Sequence, residues 1–254
     1  MAIFLSLFAG QAATAETGTL RVVRLAATIN PAVAEYLVEQ LQMSNQTAEQ
    51  ALVIELDTPG GLDTSMRTII QAILASEVPV VVYVAPSGAR AASAGVLITL
   101  AADIAAMAPG TNIGAAHPVS LGAGNGGEAT EPDVTQTKAL NDAIAYARSL
   151  AEQRGRNADW AERAVRESIS SPASEALEQG VIDLIAVDRA ELLQKLHGWS
   201  YQRAGESRQL ETRGAGIIIS EMTWRQQILN ILANPNVAYL LLMLGILGIF
   251  FEIS

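Results

Sequence analysis

The 254-residue sequence has its strongest strand signal at Val78–Val84, which reads Val-Pro-Val-Val-Val-Tyr-Val. A run of branched and aromatic apolar residues is typical of a strand that is buried on both faces of a sheet. Apolar runs of the same kind lie on either side of it, at Leu20–Ala26, Leu52–Asp57, Ile104–Ala108 and Leu184–Val187. These runs predict the strands of one sheet.

Helical patterns separate the predicted strands. They predict a helix that begins at Pro31 and further helices over Thr64–Ser76, Ala91–Ala102, Thr135–Arg154 and Met222–Ala233. Parallel strands need crossover connections, which are usually helices, so the alternation predicts an α/β fold with a parallel sheet covered on both faces. The loop Pro109–Pro132 exceeds the usual length and predicts a lid, a binding loop or a disordered stretch.

The charge balance and the rare residue types exclude several classes of function. The chain has 26 acidic and 16 basic residues and a net charge of −10, which argues against a nucleic-acid partner. The absence of Cys excludes a disulfide framework and a Cys nucleophile, and the presence of only two His argues against a zinc site. We therefore predict no metal and no cofactor. Only Lys138 and Lys195 among the basic residues are lysines, and lysine, unlike arginine, can lose its proton in a protein.

Two turns rich in Gly and Ala follow predicted strands. Asp57–Gly61 (DTPGG) leaves a strand and enters a helix, where backbone N–H groups can face an anion or a developing oxyanion. Ala91–Gly95 (AASAG) places one serine hydroxyl among small residues that let a substrate backbone approach. Each turn is also compatible with ordinary strand-to-helix packing. The candidate residues are Ser93 as nucleophile, Gly61 and Ala94 as oxyanion donors, and Gly60 and Gly95 as substrate-binding positions.

A serine nucleophile needs a base that accepts its proton, and the sequence offers four candidates. Lys195 and His197 lie near a helix end and are typical of surface residues. Lys138 lies early in a predicted helix, where the positive N-terminal potential and apolar cover would favour a neutral amine. His117 is the alternative, because imidazole titrates near neutral pH and is the commonest general base. Spacing alone leaves both Lys138 and His117 open.

Both ends of the chain carry apolar segments. Residues 1–15 predict a secretory signal with a small-x-small cleavage motif, although no basic residue precedes Arg21. Val237–Phe251 has no charged residue, and we predict that 236–254 is the truncated first transmembrane helix of a longer protein. The polar interval before it, 200–235, is predicted to be a linker, with an edge hairpin as the alternative up to Gly216, followed by an amphipathic helix.

Several motifs, taken together and in this order, resemble the NfeD-like membrane-bound serine proteases. These are the stomatin-operon partner proteins, within the Clp protease/crotonase fold group. The resemblance covers nearly the whole chain from about Leu20. The motifs are Leu56–Gly61 (LDTPGG), Ala91–Gly95 (AASAG), Asn112–Pro118 (NIGAAHP), Ser149–Asn157 (SLAEQRGRN) and Asn234–Tyr239 (NPNVAY).

The resemblance implies a ClpP-like serine protease domain at residues 16–199, on the non-cytoplasmic side and anchored to the membrane. It implies a Ser-Lys dyad of Ser93 and Lys138, with Gly61 and Ala94 as the oxyanion donors. The implied substrates are apolar segments of membrane-associated proteins, and the implied partners are stomatin-like proteins and the lipid membrane. Because Clp-like folds self-associate, a homodimer or a higher oligomer is expected by analogy.

The Clp pattern also leaves alternatives. In Clp proteases the base is a His at a similar distance after the serine, and His117 lies 24 residues after Ser93. A Ser93–His117 pair is therefore an alternative dyad, although Pro118 follows His117 directly and no Asp is obviously placed to orient it. A crotonase-like acyl-CoA enzyme, which would not depend on Ser93, and a non-catalytic scaffold for stomatin-like proteins are alternative functions.

Overall fold

Strands and helices alternate along the chain, as the apolar runs predict. The computed structural model describes residues 18–118, 134–203 and 206–253. The predicted signal segment, 1–15, lies outside these ranges, and so does the part of the predicted long loop from 119 to 132.

The elements have the following bounds. The strands are β1 (Thr19–Ala26), β2 (Ala51–Asp57), β3 (Val80–Val84), β4 (Arg90–Ala92), β5 (Ile104–Met107), β6 (Asn112–Gly114), β7 (Ser170–Pro172), β8 (Leu184–Ile185), β9 (Ser200–Arg203), β10 (Glu206–Gln209) and β11 (Gly216–Ser220). The helices are α1 (Pro31–Gln46), α2 (Asp63–Ala75), α3 (Ala94–Ala101), α4 (Val134–Gln153), α5 (Ala158–Arg166), α6 (Ala173–Glu178), α7 (Arg189–Leu196), α8 (Trp224–Leu232) and α9 (Pro235–Ile253).

Six of these strands form the main sheet, in the order β11-β1-β2-β3-β5-β8, and every neighbouring pair is parallel. In the centre of the sheet, Val53 lies opposite Val22 on one side and Val81 on the other. Parallel neighbours joined through helices are what the alternating pattern predicts. The predicted α/β fold is confirmed.

Side chains of successive strand residues point to opposite faces of the sheet and build two apolar clusters. On one face, Ile54 belongs to the cluster that includes Leu37 of α1 and most of the helical core. On the other face, Val81 belongs to the cluster that includes Leu192 of α7. Burial of both faces explains why all five residues of β3 are apolar and buried.

A smaller sheet, in the order β4-β6-β7, lies beside the carboxyl end of β2. Thr58 directly follows β2 and bridges Ala91 of β4. Strand β6 then pairs in parallel with β4 and antiparallel with β7. The helix predicted over Ala91–Ala102 therefore begins only at Ala94, because the residues before it extend into this sheet.

The interval 200–235 contains a hairpin, which was the alternative to the predicted linker, and the helix predicted after it is present as α8. Strands β9 and β10 form an antiparallel hairpin, and β11 pairs in parallel with β1 at the edge of the main sheet. Helix α8 lies against α1, where Asn30 Nδ2 donates to Asn230 Oδ1 at 2.7 Å. Gln226 Nε2 donates to Glu39 Oε2 at 2.8 Å in the same contact. The interval thus belongs to the folded domain.

Helix α9 carries the predicted membrane segment. Its large apolar side chains are exposed, among them Leu244 at 57% and Phe251 at 71%. Within the described ranges, no single helix is long and apolar enough to cross a membrane. The helices Trp224–Leu232 and Asn236–Glu252 are together long and apolar enough to cross a membrane, but the chain bends by 75° between them.

Candidate active site

Ser93 occupies a strained position between β4 and α3. Its backbone has φ 53° and ψ −114°, a conformation that favours glycine. Its N–H donates to Gly114 O of β6 at 3.1 Å, so the small sheet holds the serine backbone. The residue is half-buried. A side chain that is retained in an unfavourable backbone conformation is typical of a functional site.

Gly60 lies directly against the serine. It has φ +110°, and a Cβ at this position would lie 2.5 Å from Ser93 Cβ and 3.0 Å from Ser93 Oγ. Both the conformation and the close approach therefore require glycine. The predicted substrate-binding position is a close neighbour of the predicted nucleophile.

Thr58 holds the turn that contains Gly60. Its N–H donates to Arg90 O at 2.8 Å, and its carbonyl accepts from Ala92 N at 3.1 Å, so the turn continues the pairing of β4. Its hydroxyl accepts from Gly60 N at 3.1 Å. A Cβ on Gly95 would lie 2.7 Å from Thr58 Cγ2, so Gly95 allows α3 to approach this turn. Gly95 is buried, and its predicted role in substrate binding stays a prediction.

The two predicted oxyanion donors lie at the ends of these turns. Gly61 forms a parallel bridge with Ile29, in which Ile29 N donates to Gly60 O at 2.8 Å and Leu62 N donates to Ile29 O at 2.8 Å. This pairing uses groups of the residues that flank Gly61, so the N–H of Gly61 points away from Ile29. Ala94 is the first residue of α3, where helical N–H groups have no intrahelical acceptor. The role of Gly61 and Ala94 as oxyanion donors stays a prediction.

Lys138 is the fifth residue of α4, near the helix N-terminus. Its side chain is exposed, so the described part of the chain does not supply the expected apolar cover. Within that part, its amine has no hydrogen-bond or ion-pair partner. Its role as the base stays a prediction.

His117 follows the strand that holds Ser93. It lies three residues beyond Gly114, and its Nδ1 is 3.0 Å from Val165 O of α5. A protonated Nδ1 that donates to this carbonyl leaves Nε2 as the acceptor of the exposed ring. His117 therefore stays an alternative base.

One ionic cluster beside the site was not anticipated from the sequence. Arg67 of α2 donates from Nε to Asp63 Oδ2 at 2.9 Å and from Nη2 to Asp142 of α4. Its guanidinium also lies 4.5 Å from the centre of the Tyr146 ring. Burial lowers the pKa of Arg67, but the Asp63 hydrogen bond and the charges of both carboxylates outweigh it and raise that pKa. The pair Asp63–Arg67 looks like an ordinary helix-surface pair in sequence, and only the fold brings Asp142 to it.

In the part of the chain that the structure describes, the residue types that bind metals are not clustered at the site. Among residues 18–118, 134–203 and 206–253, no group of three or more His, Asp or Glu side chains could hold a metal ion.

Solved structures with the same fold define the class of protein. A serine-to-alanine mutant of the 1510-N membrane-bound stomatin-specific protease superposes with a TM-score of 0.75 at 35% identity, covering 82% of this chain and 99% of that one. A lysine-to-alanine mutant in complex with a substrate peptide gives a TM-score of 0.74 at 34% identity, covering 85% of this chain and 97% of that one. The fold is therefore that of this ClpP/crotonase-like protease class.

The sequence comparisons give the family. A profile of the NfeD1b N-terminal domain matches residues 19–197. The chain is 40% identical over 208 residues to the membrane-bound protease PH1510 of Pyrococcus horikoshii, which covers 81% of this chain and 46% of that protein. It is 37% identical over 113 residues to the membrane protein NfeD1b of Bacillus subtilis, which covers 44% of this chain and 25% of that protein. The chain thus spans less than half the length of these relatives, and it belongs to the NfeD1b N-terminal domain family.

Proposed function

We propose that this chain is a serine endopeptidase in which Ser93 is the nucleophile and Lys138 is the base. The observation that carries the proposal is the strained backbone of Ser93, with Gly60 so close that no other residue fits. The names of the similar structures support it, because they describe protease variants in which a serine or a lysine is replaced.

In the proposed mechanism, the neutral amine of Lys138 accepts the proton of Ser93 as Oγ attacks the peptide carbonyl. The N–H groups of Gly61 and Ala94 stabilise the oxyanion of the tetrahedral intermediate. Lys138 then returns the proton to the leaving amine, and a water molecule hydrolyses the acyl-enzyme. Apart from the hydrolytic water, this chemistry uses only side-chain and backbone groups of the chain.

The proposed substrates are apolar segments of membrane-associated proteins, with stomatin-like proteins as partners. This part rests on the relatives, which are named as membrane-bound and as specific for a stomatin homologue. We also propose that α9 anchors the chain in the membrane, that the protease domain lies on the non-cytoplasmic side, and that the chain forms a homodimer or a higher oligomer.

A Ser93–His117 dyad is the alternative, and one observation favours it. The strand that accepts the Ser93 N–H leads to His117, whose Nδ1 contact with Val165 O would orient the ring. A scaffold without peptidase activity, which only binds stomatin-like proteins, is the other alternative.

The deciding experiment is mass spectrometry of an apolar peptide from the C-terminal region of a stomatin-like protein. The peptide is incubated with the wild-type chain and with Ser93→Ala, Lys138→Ala, His117→Ala and, as a matched control, Lys195→Ala. Lys195 pairs with Glu191 at 2.9 Å and donates to Ile185 O at 2.7 Å, as a surface lysine does. We expect cleavage to be lost only without Ser93 or Lys138.

The other outcomes assign the alternatives. Loss of cleavage in His117→Ala, with activity kept in Lys138→Ala, would identify a Clp-type histidine enzyme. Lys138→Arg is expected to be inactive, because a guanidinium does not act as a base at neutral pH. If the wild-type chain cleaves nothing but still binds the stomatin-like protein, the scaffold is the better assignment.

A further inference from the structure

Arg67 links the turn beside Ser93 to the helix that carries Lys138. It lies in the second turn of α2, which begins directly after the turn that contains Gly60 and Gly61. Its guanidinium binds Asp142 of α4 and lies over the ring of Tyr146, one further turn along the same helix. The side chain of Arg67 is only 31% exposed, so these contacts bury most of it.

Lys138 and Asp142 are four residues apart on α4. Residues at this spacing are neighbours on one face of a helix, and oppositely charged pairs at this spacing attract each other. In the described part of the chain, however, the Lys138 amine has no carboxylate partner. The carboxylate of Asp142 is bound by Arg67 instead.

We propose that Arg67 is a positioning residue that engages the Asp142 carboxylate and so withholds it from Lys138. This inference rests on the proposed function, in which Lys138 must be neutral to accept the proton of Ser93. An ammonium beside a free carboxylate holds its proton more tightly. Without Arg67, the Asp142 carboxylate would be free to attract the Lys138 ammonium, which would disfavour the neutral amine that the proposed mechanism needs.

The other charged groups around α4 do not compete for Lys138. On α2, Asp63 is bound by Arg67 itself. On α5, Asp159 and Glu162 both bind Arg148, which is ten residues beyond Lys138 on α4, roughly 15 Å along the helix axis. Helix α3, which also contacts α4, has no ionisable side chain. Among the described residues, Asp142 is therefore the carboxylate that could pair with Lys138 if Arg67 did not bind it.

The test uses the small number of lysines. Lysine labelled with ¹³C at Cε gives two NMR signals in the full chain, from Lys138 and Lys195, and Lys138→Ala assigns them. In Arg67→Gln, we expect the half-titration pH of Lys138 to rise by roughly 0.3 to 0.5 pH units, the size expected for a new i,i+4 ion pair together with the loss of a nearby cation. The low-pH limb of peptide cleavage should move by the same amount.

Three variants separate this role from a merely structural one. Arg67→Gln/Asp142→Asn should return the titration of Lys138 to the wild-type pH, because the released carboxylate is gone. Arg148→Gln removes another arginine that links α4 to its neighbour, and it should leave the titration unchanged. Asp142→Asn alone should change it little, because Arg67 already engages that carboxylate, and Lys195 serves as an internal reference throughout.

The outcomes distinguish the two proposals. An unchanged titration of Lys138 in Arg67→Gln, or a double variant that does not restore it, overturns the inference while Lys138→Ala remains inactive. If Arg67→Gln does not fold, a large downward shift in Asp142→Asn overturns it in the same way. Peptide cleavage that survives Lys138→Ala overturns the proposed function and the inference together.

Discussion

One residue of the candidate site adopts a backbone conformation that its side chain does not favour. Ser93 has φ 53° and ψ −114°, and the Ser93 N–H bond to Gly114 O helps to keep it there. Such conformations cost about 1–3 kcal/mol for a residue other than glycine. The chain retains a serine in a backbone conformation that glycine would adopt at a lower energy. This is the pattern expected when function outweighs local stability.

This strain predicts the relative stability of two variants of Ser93. We expect Ser93→Gly to be more stable than Ser93→Ala by about 1 kcal/mol, because glycine relieves the strain, while the higher conformational entropy that it gives the unfolded chain offsets part of that gain. Urea unfolding measures the difference. At Thr68, an exposed position in the middle of α2, the order should be reversed, since glycine is about 1 kcal/mol worse than alanine in a helix. The same order at both positions would contradict the strain.

Gly60 permits a prediction about activity with a matched control. Gly60→Ala places a Cβ 2.5 Å from Ser93 Cβ, and we expect peptide cleavage to fall by about 100-fold or more, because a displacement of the nucleophile of about 1 Å has an effect of this size. Gly88 also has a positive φ, +89°, but a Cβ there would meet nothing within 4 Å. Gly88→Ala should therefore lose some stability and keep its activity. Equal activity in the two variants would show that the contact with Ser93 does not matter.

Among the secondary-structure elements, the long apolar ones could be predicted from sequence and the short ones could not. Strands β1, β2, β3, β5 and β8 all coincide with predicted apolar runs. Strands β4, β6 and β7 have only three residues each, which is too short for a periodic pattern, and they are held by neighbours from distant parts of the chain. The edge strand β11 was missed for the second reason, because its pairing partner β1 lies almost 200 residues earlier in the sequence (Thr19 is opposite Gly216).

The same distinction applies to the candidate site. The turns around Gly60 and Ser93 are compact in sequence, so their residue types are enough to select them as candidates, although each is also compatible with ordinary packing. The contact between Arg67 and Asp142 joins residues that are 75 positions apart, and nothing in the local sequence of either indicates it. The side chain of Lys138 is exposed although apolar cover was expected, because cover depends on packing rather than on the residues that flank it.

A buried ion pair joins β1 to the segment that follows α1, and it predicts an effect on stability. Arg21 of β1 and Glu49, which follows α1, are 5% and 4% exposed, and Arg21 Nη2 donates to Glu49 Oε1 at 2.6 Å. Glu49→Gln leaves a buried guanidinium without its counter-charge, so we expect a loss of about 3 kcal/mol in the free energy of unfolding. Glu167→Gln, which breaks an exposed pair with Arg163 on α5, should cost less than about 0.5 kcal/mol. Similar losses in urea unfolding for both variants would contradict this account.

For the whole molecule, charge and hydrophobic surface act in opposite directions at a membrane. The net charge of −10 disfavours an electrostatic attraction to anionic lipid. Helix α9, in contrast, exposes a nearly continuous apolar surface. If the chain is anchored as we propose, the anchor must therefore be hydrophobic, and its strength should not depend on salt.

Flotation with zwitterionic lipid vesicles tests this anchor. We expect the wild-type chain to float with the vesicles at both low and high salt. Leu241→Arg/Leu244→Arg should abolish flotation, because each arginine near the centre of a membrane helix costs about 2.5–3.5 kcal/mol. Val134→Arg/Val187→Arg is the matched control, since these exposed apolar residues outside α9 receive the same charges. Flotation that is lost in the control as well, or that disappears at high salt, would mean that charge rather than the apolar surface of α9 holds the chain at the membrane.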